Sequence, residues 1–166
     1  MIARVKKASI EQKPILERLM QFYLYDFSAM QGADVNPDGL FDHQMHLDSY
    51  WSEPDRFPFL IYADSEIAGF VLVNSYTCLP ENRGAKSIAE FFMMPKYRRR
   101  GVGRRTAFQI FDKFPGKWEV RQIQENTAGQ EFWRKVITGY TRGNFKETTL
   151  NNDLWHGPVQ YFDTST

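Results

Sequence analysis

The sequence predicts an α/β fold with a mixed sheet, and three observations predict it. Strand-length apolar runs recur along the chain, residues 59–63, 67–73 and 88–94 being the clearest. Stretches with apolar residues at helical spacing lie between such runs. Two of the runs are joined by a tight turn at Asp64-Ser65, so hairpins are mixed with strand-then-helix units. A chain of 166 residues suits one compact domain, expected over 1–166.

Residues 2–8 alternate apolar and basic side chains, which fits a first strand. Ser9 with Gln12 three positions on forms a capping box that opens a helix. Ile15, Leu16, Leu19, Met20, Tyr23, Phe27 and Met30 then recur at helical spacing, and the run ends before Gly32. Residues 32–42 are turn-rich around Asn36-Pro37-Asp38-Gly39, and 46–51 predict a short second helix. After the hairpin comes a polar loop at 79–86. Residues 88–94 are apolar except for Glu90, the pattern of a central strand covered on both faces, and Pro95 ends it. A basic glycine loop leads into a helix with Ala107, Ile110, Phe111 and Phe114 on one face, stopped by Pro115-Gly116. Residues 118–123 read as a strand and 128–137 as a helix carrying Phe132, Trp133 and Val136. Residues 144–149 and 159–162 complete the sheet.

The formal net charge is +1, but its parts are opposed. Residues 21–64 hold eight acids and one base, net −7, and residues 83–121 hold eleven bases and three acids, net +8. Such a chain can take a cation at one lobe and an anion at the other. The single cysteine, Cys78, excludes an intramolecular disulfide, and no His or Lys adjoins it to activate a thiolate. Residues 1–7 lack the apolar run of a signal peptide, and no stretch is long and apolar enough to span a bilayer. A cytoplasmic protein without membrane partners is expected. His43 and His46, beside Asp42, fall short of the three or four ligands of a zinc site, so no metal is expected.

The segment with the most chemistry is Met93-Met94-Pro95-Lys96-Tyr97-Arg98-Arg99-Arg100-Gly101-Val102-Gly103-Arg104. It follows a buried strand and opens an amphipathic helix. Glycines let a backbone approach phosphate closely, and a helix N-terminus adds N–H donors and partial positive charge. Arg98, Arg99, Arg100 and Arg104 add charge-assisted contacts. The Lys-Ser/Thr of a P-loop and the third glycine of a dinucleotide fingerprint are both missing.

Arg98-x-x-Gly101-x-Gly103 resembles the Arg/Gln-x-x-Gly-x-Gly/Ala motif of the acetyl-CoA-dependent N-acetyltransferase (GNAT) superfamily. Gly69-Phe70 within 67–73 is similar to its third strand, and Glu90-Phe91-Phe92-Met93-Met94-Pro95 to its fourth. Asn126, Ala128, Phe132 and Trp133 resemble its Asn-x-x-Ala-x-x-x-Phe-Tyr stretch. The resemblance covers nearly the whole chain in order. It implies a mixed, mostly antiparallel sheet flanked by helices, with the central fourth and fifth strands splayed around acetyl-CoA. Backbone at Met93 and Met94 would pair with the pantetheine arm, and N–H groups over Arg99, Arg100, Gly101, Val102, Gly103 and Arg104 would hold the pyrophosphate. Asn126 would hold the diverging strands or the cofactor, its other reading being a helix cap, and Trp133 would stand at a cofactor-side position. A backbone N–H on the fourth strand would polarise the thioester, and an amine would attack it directly.

An alkyl amine is mostly protonated at pH 7 and must lose a proton before attack. Glu90, a carboxylate in an apolar strand, is the candidate base, its pKa raised by desolvation; its other reading is a structural ion pair. Trp133 stands where many members carry a Tyr, and an indole N–H is a poor acid. Tyr140 lies about two helical turns further on, roughly 10 Å away, too far to replace that hydroxyl directly. Of Phe22, Tyr23, Tyr25 and Phe27, some should face the acceptor. The expected partner is a small-molecule or peptide amine, cationic given the acidic segment; Glu90-Phe91-Phe92 is also similar to polyamine acetyltransferases. A second reading is an inactive module of the same fold that binds coenzyme A or, less favoured, nucleic acid. A homodimer stays open.

Overall fold

Alternation along residues 2–8 gives β1 (Ala3–Lys7), with Ala3 and Val5 buried and the bases outward, in a computed structural model that describes residues 1–43 and 47–165. The hairpin is β2 (Phe57–Ala63) and β3 (Glu66–Asn74), turning at Asp64 and Ser65. Then come β4 (Lys86–Met93), β5 (Lys117–Arg121), β6 (Lys146–Asn151) and β7 (His156–Asp163). They form one sheet in the order β1-β2-β3-β4-β5-β7-β6. Every neighbouring pair is antiparallel except β4 and β5, which run parallel.

Helices cover both faces. The Ser9/Gln12 capping box is present, and α1 (Lys13–Gln31) closes on Gly32 in the left-handed region. Leu16, Leu19 and Met20 of α1 pack with Leu60, Phe70, Leu72 and Phe92, together with Tyr50 of α2 (Ser49–Ser52). The expected start of that second helix, at 46, lies outside the described residues, as does half of the His43/His46 pair. On the other face, α3 (Val102–Lys113) and α4 (Thr127–Thr141) bring Ala107, Ile110, Phe111, Trp133, Val136 and Ile137 against Val71, Ile88, Trp118 and Val120.

α4 runs four residues beyond the stretch read from the sequence. Tyr140 packs on Phe108 and Phe111, and Thr141 Oγ1 donates to the Ile137 carbonyl, so the last turn is held by contacts that apolar spacing does not encode. Gly69 is explained by a close approach: a Cβ there would lie 1.9 Å from the Phe92 carbonyl oxygen across the ladder. Among the described residues, no helix is long and apolar enough to cross a membrane.

Candidate active site

β4 and β5 begin side by side and then part. Their parallel register runs Lys86↔Trp118, Ser87↔Glu119, Ile88↔Val120 and stops, while β4 stays paired with β3 as far as Met93. Beyond Ile88 the β5-side edge of β4 therefore has no strand partner. Met94 N–H donates to the Ala68 carbonyl on β3 at 2.8 Å. By strand alternation the N–H groups of Met93 and Phe91 point the other way, into the fork. The Met93 carbonyl accepts from Arg98 Nε at 2.7 Å.

The loop after β4 turns this edge into a polar cradle. Arg99 and Gly101 both have positive φ, 60° and 75°. Gly101 is the N-cap of α3 and brings no side chain to cap it. Arg105 N–H closes the first helical bond, on the Gly101 carbonyl at 3.1 Å. Helix geometry leaves the N–H groups of Val102, Gly103 and Arg104 without intrahelical acceptors. Those donors and the helix dipole favour an anion there. Glycine is required at 101: a Cβ there would stand 3.3 Å from the Arg105 guanidinium, in a backbone conformation that side chains disfavour.

The structure divides the expected side chains. Arg99 and Arg100 are exposed on the loop. Arg98 turns towards α1 instead, pairing with Asp26 and lying over the Phe92 ring. Arg104 lies over Phe108 and reaches Gly139 of α4. A Cβ at Gly103 would meet the Phe132 ring at 3.1 Å, so this glycine admits α4 against α3. Trp133 is 6% exposed and packs edge-on to Phe91, centroids 5.0 Å apart. Asn126 Oδ1 accepts from Gly129 N–H at 3.0 Å, the helix-cap geometry. Tyr140 donates to Asp112 at 2.7 Å, and burial with that carboxylate pushes its pKa up to about 12.

Glu90 owes its direction to a β-bulge. Leu72 pairs with Glu90 but Val73 pairs with Ile88, leaving Ala89 as the extra residue. Ile88 and Phe91 pack on the α3–α4 side, whereas Ala89 and Phe92 pack on the α1 side. The bulge resets the alternation and turns Glu90 towards α1. There Tyr23 Oη donates to Glu90 Oε2. Desolvation raises the Glu90 pKa to about 7, against the opposing effects of the Tyr23 hydrogen bond and the Arg121 charge. Burial first, and then the Glu90 charge, holds the Tyr23 pKa far above its usual value, so Tyr23 remains a donor. Rings of Phe27, Phe70 and Phe92 within 4.7–6.0 Å fix the Tyr23 ring. No ion pair neutralises Glu90 among the described residues.

This geometry sets a pH test. Tyr23→Phe keeps the ring packing and removes a hydrogen bond that favours the charged carboxylate. The Glu90 pKa should therefore rise above about 7. If Glu90 takes the proton of the acceptor, the acid limb of kcat/KM against pH is expected to move upward, with acetyl-CoA KM unchanged. An unmoved limb in the folded variant removes Tyr23 from the site.

Sequence reasoning missed the partner of Glu90 and a second buried carboxylate. Glu119 is fully buried and accepts from Cys78 N–H, Leu79 N–H, Asn82 Nδ2 and Arg121 Nη1. Its signal was present: Glu119 and Arg121 alternate with apolar Trp118 and Val120, which places both on the other face of β5.

Residues 16–137 match the model of the Acetyltransferase (GNAT) family. A search of curated proteins finds no significant sequence match. Among solved structures, an acetyltransferase from Thermus thermophilus superposes with TM-score 0.70 at 15% identity, covering 98% of this chain and 97% of that one. The PaiA N-acetyltransferase of Thermoplasma acidophilum, solved with coenzyme A, gives 0.61 at 14% identity, covering 98% and 99%. The ribosomal-protein-S18-alanine N-acetyltransferase of Escherichia coli gives 0.57 at 12% identity, covering 99% and 96%. At these identities the likeness concerns the fold, and it is the family model that assigns the chain. With its forked sheet and open helix N-terminus beside the fork, the chain belongs to the Acetyltransferase (GNAT) family.

Proposed function

We propose that the protein transfers the acetyl group of acetyl-CoA to an amine. The observation that carries this reading is the unpaired edge of β4 lying between an anion cradle and a desolvated carboxylate. The N–H groups of Val102, Gly103 and Arg104 would hold the pyrophosphate, with Arg99 and Arg100 adding charge and Gly101 setting the backbone. Met93 would offer its N–H to the pantetheine arm; the Met94 N–H is already bonded to β3. Arg98 shapes the loop by holding the Met93 carbonyl and Asp26. Acetyl-CoA supplies an activated acyl group. An N–H on β4, at Phe91 or Met93, would polarise its carbonyl.

The acceptor would enter from the α1 side as a protonated, cationic amine and lose its proton to Glu90, directly or through a water. The amine nitrogen then bonds to the acetyl carbon as the carbon–sulfur bond breaks, and the second proton of the nitrogen passes through solvent to the released sulfur. Phe132 and Trp133 carry no acidic hydroxyl, and Tyr140 is bonded to Asp112, so α4 supplies no proton donor. The thiolate of coenzyme A leaves unaided. Trp133 and Asn126 support the site by packing against Phe91 and by capping α4.

Acetyl-CoA at 100 times its Kd is expected to stabilise the fold by about 2.7 kcal/mol, read as a rise in Tm. Thiol release with a panel of amines then reads the transfer. An unchanged Tm at millimolar acetyl-CoA would remove the cofactor assignment.

A further inference from the structure

Arg121 stands one residue past the last β4–β5 pair, at the base of the fork. Trp118 and Val120 pack into the α3–α4 side, so alternation sends Arg121 to the face that Glu90 shares. Its side chain is 7% exposed. Rings of Tyr76 and Trp155 each lie 5.4 Å from its Cζ. Both protein acceptors sit on Nη1: Glu119 Oε1 at 3.0 Å and the Tyr76 carbonyl at 3.1 Å. Nε is buried and has no acceptor among the described residues. The uncommitted Nε–Nη2 edge is the one a guanidinium uses to hold a carboxylate with two parallel bonds. Glu119 does not cancel Arg121, because its charge is shared with the N–H groups of Cys78 and Leu79 and with Asn82.

A buried donor without an acceptor is costly, and an acidic ligand group would satisfy it. Resting on the acetyl-transfer reading above, we propose that Arg121 anchors a carboxylate of the acceptor. The amine acetylated beside Glu90 then belongs to an amino acid, a zwitterion whose ammonium faces Glu90 and whose carboxylate faces Arg121. The groups around Glu90 fit this division: Tyr23 from α1 and Tyr50 from α2 are neutral, and Arg121 from β5 is the cation.

The test is thiol release from acetyl-CoA with α-amino acids and with the series from glycine to 6-aminohexanoate. Each acid is run beside its carboxamide and its decarboxylated amine. The carboxylate member of the best set is expected to exceed both partners at least tenfold in kcat/KM, and the optimum in the length series reads the span from Glu90 to Arg121. Arg121→Lys keeps the charge but loses the fork, so it should raise KM for that acid at least tenfold. It should leave the carboxamide and acetyl-CoA constants within about twofold. If that variant fails to fold, the acid-against-carboxamide comparison on the native protein decides alone. Carboxamides or decarboxylated amines turned over as well as the acids would overturn the anchor and leave the transfer reading standing. An equal loss for all three in Arg121→Lys would also overturn it. No thiol release from any of them would remove both.

Discussion

Glu90→Gln is expected to lower turnover by about 10²- to 10⁴-fold near neutral pH, the usual range for a positioned proton acceptor. Acetyl-CoA affinity should hardly move, because Glu90 faces α1 whereas the Gly101 to Arg104 cradle opens α3 on the opposite face of the sheet. The loss should shrink as pH rises and more amine is neutral without help. If Glu90 instead only binds the ammonium group, the variant raises the acceptor KM and spares kcat. A pH-independent loss confined to poorly folded protein would strip Glu90 of its catalytic role.

Stability gives the same variant a second, opposite signature. The folded Glu90 pKa of about 7 exceeds its unfolded value of 4.5, so the native state binds the extra proton between those limits. Stability then falls as pH climbs from about 4.5 to 7, and the full penalty is present above about 7. Each pKa unit is worth about 1.4 kcal/mol, which puts the penalty near 3 kcal/mol at most for this partly buried residue. Gln carries no charge to desolvate and can still accept from Tyr23. Glu90→Gln should therefore melt higher than the native protein at pH 8 and equally at pH 4. Lower activity with higher stability is what a residue kept for chemistry rather than packing should show.

Local regularities made the strands and helices legible. Alternation gave β1, the all-apolar run gave β4, and the Ser9/Gln12 box and Gly32 bracketed the first helical segment. Loop and helix start were legible because glycines followed by an amphipathic run have few other uses. What stayed hidden depends on long-range geometry. Tyr23 and Glu90 are 67 positions apart, and Arg98 and Asp26 are 72 apart. The bulge at Ala89, which aims Glu90, leaves no mark in Ile-Ala-Glu-Phe-Phe, where every residue type fits either face. Arg121 counted only as one base in a basic lobe. Folding sets it between Glu119 and the rings of Tyr76 and Trp155, whereas Arg98 and Asp26 join the basic segment to the acidic one.

Gly101→Val should weaken acetyl-CoA binding more than any single loop-arginine change. The φ of 75° at Gly101 is left-handed, where a β-branched residue costs roughly 1–3 kcal/mol. Its Cβ would also crowd the Arg105 guanidinium at 3.3 Å. The backbone can relieve both only by rotating, and that rotation re-aims the N–H groups of Val102 to Arg104. In the proposed site those three donors act on one anion and are lost together, and each 1.4 kcal/mol lost lowers affinity about tenfold. Arg105→Ala is the contrast. Arg105 bonds the carbonyls of Met1 and Arg100 and leaves the cradle's donors in place, so its loss should cost about threefold or less. Isothermal titration of both variants with coenzyme A separates the possibilities. Equal affinities would mean that bulk positive charge holds the phosphates and that the left-handed turn at Gly101 does not matter.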